Sequence, residues 1–243
     1  GGTGKTTTVA HLAVALEELN HNVLIIDLAG KQGDLAKHFG AWDEYREQVD
    51  NDEAWPNIST VFDDSWGTIA KKLGDDAVAD LVIETAEGPS LIPAHPGLDT
   101  LDSDLGNIDD ARERYTRLEQ FLDEYVDPLD YDVVLIDLPG MTNNVTYNGL
   151  WAARHAITPV EMGPFEAEQA DALRRDLEKI DENFSIDIEL SLVLPNKVDT
   201  RTNLAEEYLS SFEEEYSDAI APGYVPYSQD IRNAAQRGTT AFA

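Results

Sequence analysis

Gly1-Gly2-Thr3-Gly4-Lys5-Thr6-Thr7-Thr8 is the stretch whose reading decides the fold. Closely spaced glycines let consecutive backbone N–H groups turn to one side with no side chain in the way. A lysine directly after them reaches the outer phosphates of a nucleotide, and the next hydroxyl reaches a magnesium ion. Val9 to Leu19 follows with Val9, Leu12, Ala13, Leu16 and Leu19 at helical spacing. The stretch predicts a phosphate loop on a helix N-terminus, where free N–H groups and the helix dipole both favour anions. The full pattern G-x-x-x-x-G-K-[ST] has one more glycine, ahead of Gly1, and a strand leading into it. The expectation is a single P-loop domain over 1–243 whose chain starts inside its own Walker A motif, with the first strand missing.

Working outward, Val23-Leu24-Ile25-Ile26-Asp27 is an apolar run closed by an acid. It reads as a buried parallel strand, with Asp27 at the carboxyl end, where open α/β sheets place their ligands. Tyr131-Asp132-Val133-Val134-Leu135-Ile136-Asp137 is a second such strand, and its terminal aspartate is the expected second magnesium partner. Further strands are expected at Leu81–Glu84, Ser90–Pro93, His155–Val160 and Ile188–Leu194. Helices are expected at Asp109–Val126, Asn144–Arg154, Phe165–Ile180, Thr202–Tyr216 and Gln229–Arg237, and Ala221–Val225 reads as extended. Ala29 to Gly40 reads as a loop and a short helix. Ala41 to Asp80 is less regular, and its aromatics, Trp42, Tyr45, Trp55, Phe62 and Trp66, read as core. His95 reads as structural. Strands alternating with helices give an α/β fold, a mostly parallel twisted sheet with helices on both faces, here of the P-loop NTPase type.

Composition narrows the function classes. With 243 residues and 42% hydrophobic content, the chain can bury a sizeable core. It has no cysteine, which excludes disulfides and thiolate metal sites. No apolar run approaches the roughly 20 residues of a membrane span, and no signal peptide is visible, so a cytoplasmic setting is expected. The 48 acidic residues against 17 Lys and Arg leave a net charge of −31, spread along the chain. Self-repulsion of this kind weakens a fold at low salt and is screened in molar salt, where the Debye length is ~3 Å. The expectation is a halophilic, haloarchaeal protein.

With these motifs in order, the whole chain resembles the ParA/MinD family of deviant Walker A P-loop ATPases. Gly1-Gly2-Thr3-Gly4-Lys5-Thr6-Thr7 resembles its phosphate loop, Val23–Asp27 the strand before its first switch, and Tyr131–Pro139 its Walker B strand and second switch. Ala153–Phe165 resembles the segment after that switch. Asp199-Thr200-Arg201-Thr202-Asn203 is similar to a short run of the partition branch, ParA and Soj-like. Val225-Pro226-Tyr227-Ser228 with Ile231-Arg232 resembles the C-terminal nucleotide loop. The resemblance implies an ATP-dependent homodimer, two subunits sandwiching two ATP molecules, with hydrolysis triggered by a ParB-like or other adaptor protein. Relatives position plasmids, chromosomes, division sites or other large assemblies. No C-terminal membrane helix of the MinD kind is visible. The family's signature lysine, which reaches the partner's phosphate, would precede Gly1.

In these terms Lys5 neutralises the outer phosphates and Thr6 ligates Mg²⁺, while Asp27 and Asp137 hold it through waters. Gly1, Gly2, Thr3, Gly4 and Thr7 bind phosphate through backbone N–H groups. Asn196 is placed to read the base, and Pro226 and Tyr227 complete the nucleotide pocket. Lys5, Asp27 and Asp137 are the catalytic candidates.

One departure concerns the first switch, where the family reads Asp-x-Asp-Pro-Gln-Gly. This chain reads Asp27-Leu28-Ala29-Gly30-Lys31-Gln32-Gly33-Asp34, so the acid that helps position the attacking water is an alanine. Slow hydrolysis is expected, unless Gln32 or Asp34 substitutes. Arg201 and Arg232 are candidate DNA contacts, but Asp230 stands where the family's Pro-Arg-x-x-Arg run has a basic residue. A charge-driven grip on DNA would largely vanish in molar salt; internal or dimer-interface salt bridges are the other reading of both arginines. Two rival functions stand beside the switch. Asp137-Leu138-Pro139-Gly140 and Asn196-Lys197-Val198-Asp199 fit the D-x-x-G and N-K-x-D patterns of GTPases, in which the last acid reads guanine. A nucleotide-bound scaffold with little hydrolysis is the second.

Overall fold

A computed structural model describes residues 2–29, 33–50, 56–74, 77–161, 164–201 and 203–243. Gly1, Gly30, Lys31, Gln32, Trp55 and Thr202 therefore lie outside the described residues. The chain divides into two compact units: Thr6–Ala153 with Ile231–Ala243, and Gly1–Lys5 with Arg154–Asp230.

The larger unit takes up α1 (Lys5–Glu18) from Thr6 onward, then β1 (Val23–Asp27), α2 (Asp34–His38), α3 (Trp42–Asp50) and α4 (Trp66–Leu73). There follow β2 (Ile83–Glu84), β3 (Ser90–Ile92), α5 (Leu98–Gly106), α6 (Ala111–Tyr115), α7 (Arg117–Phe121), β4 (Val133–Asp137) and α8 (Asn144–Ala153). Its sheet has the order β2-β3-β1-β4. The central strand β1 is parallel to both β3 and β4, and β2 is antiparallel to β3. All five β1 residues are buried. Their period-two alternation feeds two cores: Leu24 and Ile26 join Trp66, Leu118, Phe121 and Val145 on one face, while Val23 and Ile25 join Ala10, Val14, Leu35 and Tyr45 on the other. A strand covered on both faces has no polar side, which is why it reads as a continuous apolar run.

The smaller unit holds β5 (His155–Glu161), α9 (Pro164–Phe184), β6 (Glu189–Asn196) and α10 (Asn203–Glu215). Strands β5 and β6 pair in parallel, with a register irregularity between Ala156 and Ile157. The expected extended stretch after α10 follows the end of β6: Ala221 N–H donates to Val193 O at 2.9 Å and Val225 N–H to Pro195 O at 2.8 Å. Tyr216 closes the unit's core, its hydroxyl donating to Asp171 at 2.6 Å. The last helix, α11, runs Gln229–Gln236.

Three readings of the sequence change. The single helix expected over Asp109–Val126 is instead α6 and α7, followed by a wide π turn at Leu122–Val126. The cause is distant in sequence. Buried Asn148 on α8 donates to Arg114 O at 3.0 Å and accepts from Leu118 N–H at 3.4 Å, taking a carbonyl and an amide that a continuous helix would bond internally. Ala41–Asp80 is more regular than expected, since it carries α3 and α4, and α5 was not foreseen. Tyr45, Phe62 and Trp66 are core residues, as read, and Trp42 stacks on Tyr45 with ring centroids 5.2 Å apart. His95 is structural: its Nδ1 accepts from Gly97 N–H at 3.0 Å, and burial lowers its pKa.

Candidate nucleotide site

In the larger unit the two acid-ended strands bring their aspartates together. Asp27 and Asp137 are register partners at the carboxyl ends of β1 and β4, only 2% and 1% exposed. The strands hold them there because Leu28 N–H continues the ladder to Asp137 O at 2.9 Å. Ala29 N–H donates to Asp27 Oδ1 at 2.9 Å. Burial, and then the neighbouring Asp137 charge, push the Asp27 carboxyl up to about 8. Two buried carboxylates therefore oppose each other's ionisation, and a divalent cation is the natural relief. Among the described residues no cluster of three or more His, Cys, Asp or Glu could cage a metal by itself. That donor set fits Mg²⁺, which takes one or two carboxylates together with substrate phosphates and waters.

Ala29 presents a half-buried methyl group beside Asp27. Asp34, one of the two residues expected to substitute for the missing acid, opens α2 and is close enough for its charge to raise Asp27 further. Its carboxylate accepts from Lys37 at 3.1 Å. Gln32, the other, lies outside the described residues.

The helix α1 begins at Lys5, so Lys5, Thr6 and Thr7 form its first turn, as the phosphate-loop reading requires. His11 ties that turn down: its Nδ1–H donates to Thr7 O at 2.8 Å, while its Nε2 accepts from Ala241 N–H at 3.1 Å. A carbonyl only accepts and an amide N–H only donates, so the two contacts fix one neutral tautomer.

In the smaller unit, Gly2 and Gly4 have φ of 146° and 92°, backbone that L side chains rarely adopt. A Cβ on Gly4 would also stand 2.5 Å from the Asn196 amide nitrogen. Asn196, read as a base contact, is engaged otherwise in this structure. Its Nδ2 donates to Thr3 O at 2.7 Å and its Oδ1 accepts from Lys197 N–H at 2.9 Å. Lys197, which the sequence reading gave no role of its own, donates through Nζ to Gly2 O and to Glu161 Oε1, the latter at 2.6 Å. The motif pointed to these two residues through the base, and the contacts to the loop carbonyls were not foreseen. Pro226 bridges Val198, and Tyr227 N–H donates to Val198 O at 3.1 Å, leaving the Tyr227 ring half exposed.

Asp199, the acid that would read guanine, is held by Arg201. It accepts from the Arg201 backbone N–H at 3.1 Å, from Nε at 2.8 Å and from Nη2 at 2.6 Å. Those bonds bring its carboxyl down to about 2. Arg201 is 83% exposed, and Arg232 is exposed on α11.

The model of the AAA domain family AAA_31 matches residues 1–190. The chromosome partitioning protein ParA of Caulobacter vibrioides is 27% identical over 98% of this chain and 81% of its own length. The sporulation initiation inhibitor protein Soj of Bacillus subtilis is 25% identical over 98% of this chain and 85% of its own. Among solved structures, cobyrinic acid a,c-diamide synthase from Mycobacterium smegmatis with bound ADP and magnesium superposes with a TM-score of 0.75. It is 26% identical over 98% of this chain and 86% of its own. A matched family model over most of the chain, partition relatives along nearly all of it, and a phosphate loop opening α1 lead to one assignment: the chain belongs to the AAA_31 family of AAA domains, in the ParA/MinD group of P-loop ATPases.

Proposed function

We propose that this chain is a ParA-like ATP hydrolase of the cytoplasm that partitions or positions DNA or another large assembly by switching between a monomer and an ATP-held homodimer. The observation that carries the reading is the phosphate loop running into α1 in a chain that aligns with chromosome partitioning proteins over 98% of its length. Lys5 neutralises the outer phosphates, and the backbone N–H groups of Gly1, Gly2, Thr3, Gly4 and Thr7 cradle them. Thr6, Asp27 and Asp137 hold Mg²⁺, which when bound shields the phosphate charge and orients the group to be transferred. Asn196, Pro226 and Tyr227 border the nucleotide.

Turnover is slow because the Ala29 side chain offers no carboxylate oxygen to orient the attacking water. An adaptor protein of the ParB kind then sets when the dimer separates. Non-specific DNA is the surface on which such a dimer would be retained, with Arg201 and Arg232 as contacts. Of the two rivals, the GTPase reading needs Asp199 to face guanine, whereas here that carboxylate is bonded to the exposed Arg201, which a base would first have to displace.

The test is molar mass by light scattering in molar KCl with Mg-ATP, Mg-ADP or Mg-GTP. A dimer with ATP alone is expected. A dimer with GTP alone would restore the GTPase reading. A mass that ignores the nucleotide would leave a scaffold in place of a switch.

A further inference from the structure

Asn196 and Lys197 follow one another in the chain and hold two consecutive carbonyls of the phosphate loop, Thr3 O and Gly2 O. A planar trans peptide points its carbonyl and the next residue's N–H in opposite directions. With the Gly2 and Thr3 carbonyls fixed toward Asn196 and Lys197, the N–H groups of Thr3 and Gly4 are turned to the opposite side. Two successive N–H groups aimed the same way make an anion-binding nest.

Lys197 is itself shaped for this. Its φ of 54° is left-handed, a conformation that a lysine keeps only where its surroundings over-determine it. Those surroundings are present: its own N–H is bonded to Asn196, and Val198 after it is fixed by Val225 and Tyr227. Glu161, at the end of β5, takes a second proton of the same ammonium at 2.6 Å. The Lys197 charge is thereby committed to the loop's back and to a counter-charge.

We propose that Lys197, braced by Glu161, is a positioning residue for nucleotide binding, holding the Gly2 carbonyl so that the phosphate loop presents its N–H groups before any phosphate arrives. The inference rests on the ATPase reading above. It gives the Asn-Lys pair a purpose independent of which base is bound.

The experiment compares wild type, Lys197→Met, Lys197→Arg and Glu161→Gln, full chain, in molar KCl. Mg-ATP affinity is read by equilibrium titration, KM and kcat by phosphate release, and folding by circular dichroism and melting. Lys197→Met is expected to lose about tenfold or more in ATP affinity and to raise KM by a similar factor, with kcat falling less than about threefold. Lys197→Arg, which can still donate to the Gly2 carbonyl, is expected to recover most of the loss. Glu161→Gln keeps the Lys197–Gly2 bond and is expected to lose less than about threefold. A Lys197→Met protein that folds and binds Mg-ATP within about twofold of wild type overturns the proposal. So does an arginine variant as impaired as the methionine one, since the donated hydrogen bond would then not matter. If Lys197→Met does not fold, Lys197→Gln, too short to reach the Gly2 carbonyl, carries the same comparison: a loss of about tenfold in ATP affinity supports the proposal, and affinity within about twofold of wild type overturns it. A wild type that does not bind Mg-ATP at all overturns the ATPase reading instead.

Discussion

The phosphate loop and the aspartate pair are built on opposite electrostatic principles. In the smaller unit the loop's carbonyls at Gly2 and Thr3 are satisfied by Lys197 and Asn196, so its backbone is fixed by neighbours that suit it. In the larger unit Asp27 and Asp137 are buried side by side, and each makes the other's charge harder to keep. One element is stable as it stands, and the other is stressed until a cation relieves it. The contrast teaches where ligand binding should stabilise this protein: at the carboxylates far more than at the loop.

The largest effect tests the loop side. Lys5→Ala removes the charge proposed to meet the outer phosphates, and losing one preorganised electrostatic partner of a transition state slows turnover by about 10²–10³-fold. ATP hydrolysis measured in molar KCl should fall by at least about 100-fold with little change in melting temperature. A smaller loss would mean that the backbone N–H groups alone carry phosphate binding.

The next effect lies between the two regions in kind, because it concerns the water and not the phosphate. Ala29→Asp restores an acid two residues after Asp27. Basal hydrolysis should rise by about ten- to a hundredfold, at or below the usual range for a positioned acid or base. Unchanged turnover would point to Asp34, or to a group outside the described residues, as the water-positioning one.

How much of this was legible in the sequence depends on how far apart the cooperating residues lie. Strand β1 was readable because burial on both faces leaves an uninterrupted apolar run, β4 because the same apolar run recurs although its first four residues are only half-buried, and each run ends in a candidate site acid. The break at Thr116 was not, because Asn148, some thirty residues later, supplies the competing hydrogen bonds. Helix α5 escaped notice because Leu98, Leu101 and Leu105 are its buried positions among acids and small polar residues. Asn196 and Lys197 were noticed for a different reason. An N-K-x-D pattern speaks of a base, whereas the contacts seen are to loop carbonyls at the far end of the chain.

The aspartate side is tested by pH. The folded-state pKa of Asp27 is raised to about 8, above its unfolded value near 4. Its neutral form is therefore favoured by folding: the associated stability is complete below about pH 4 and is lost as pH rises toward 8. Asp27→Asn removes that loss, and its amide can donate to Asp137. In magnesium-free buffer the variant's advantage in unfolding free energy should grow from nothing near pH 4 to a few kcal/mol, on the order of magnitude of a shift this size, near pH 8. Mg-ATP should shrink the advantage by stabilising the wild type. A difference flat with pH would show that neither burial nor the Asp137 charge raises the Asp27 carboxyl.

A smaller and more diffuse effect belongs to neither region. With 48 acidic and 17 basic residues, screening should raise the melting temperature steadily from low to molar KCl. A melting temperature that stays level or falls would count against a salt-adapted protein.

The smallest effect is on DNA, and it separates an internal role for Arg201 from an external one. Its bonds to Asp199 join residues two apart on an exposed surface, so solvent and salt screen the pair and little holds the guanidinium in place. Releasing it to a phosphate is therefore cheap, and the melting temperature of Arg201→Ala should match that of wild type. If the released side chain neutralises one DNA phosphate, the log–log slope of affinity against salt should become shallower by about 0.9 in the variant. At molar KCl both proteins should hold DNA weakly, so the titration has to begin at the lowest salt that keeps the acidic fold intact. An unchanged slope with an unchanged fold would leave Arg201 as a surface partner of Asp199 with no part in retaining DNA.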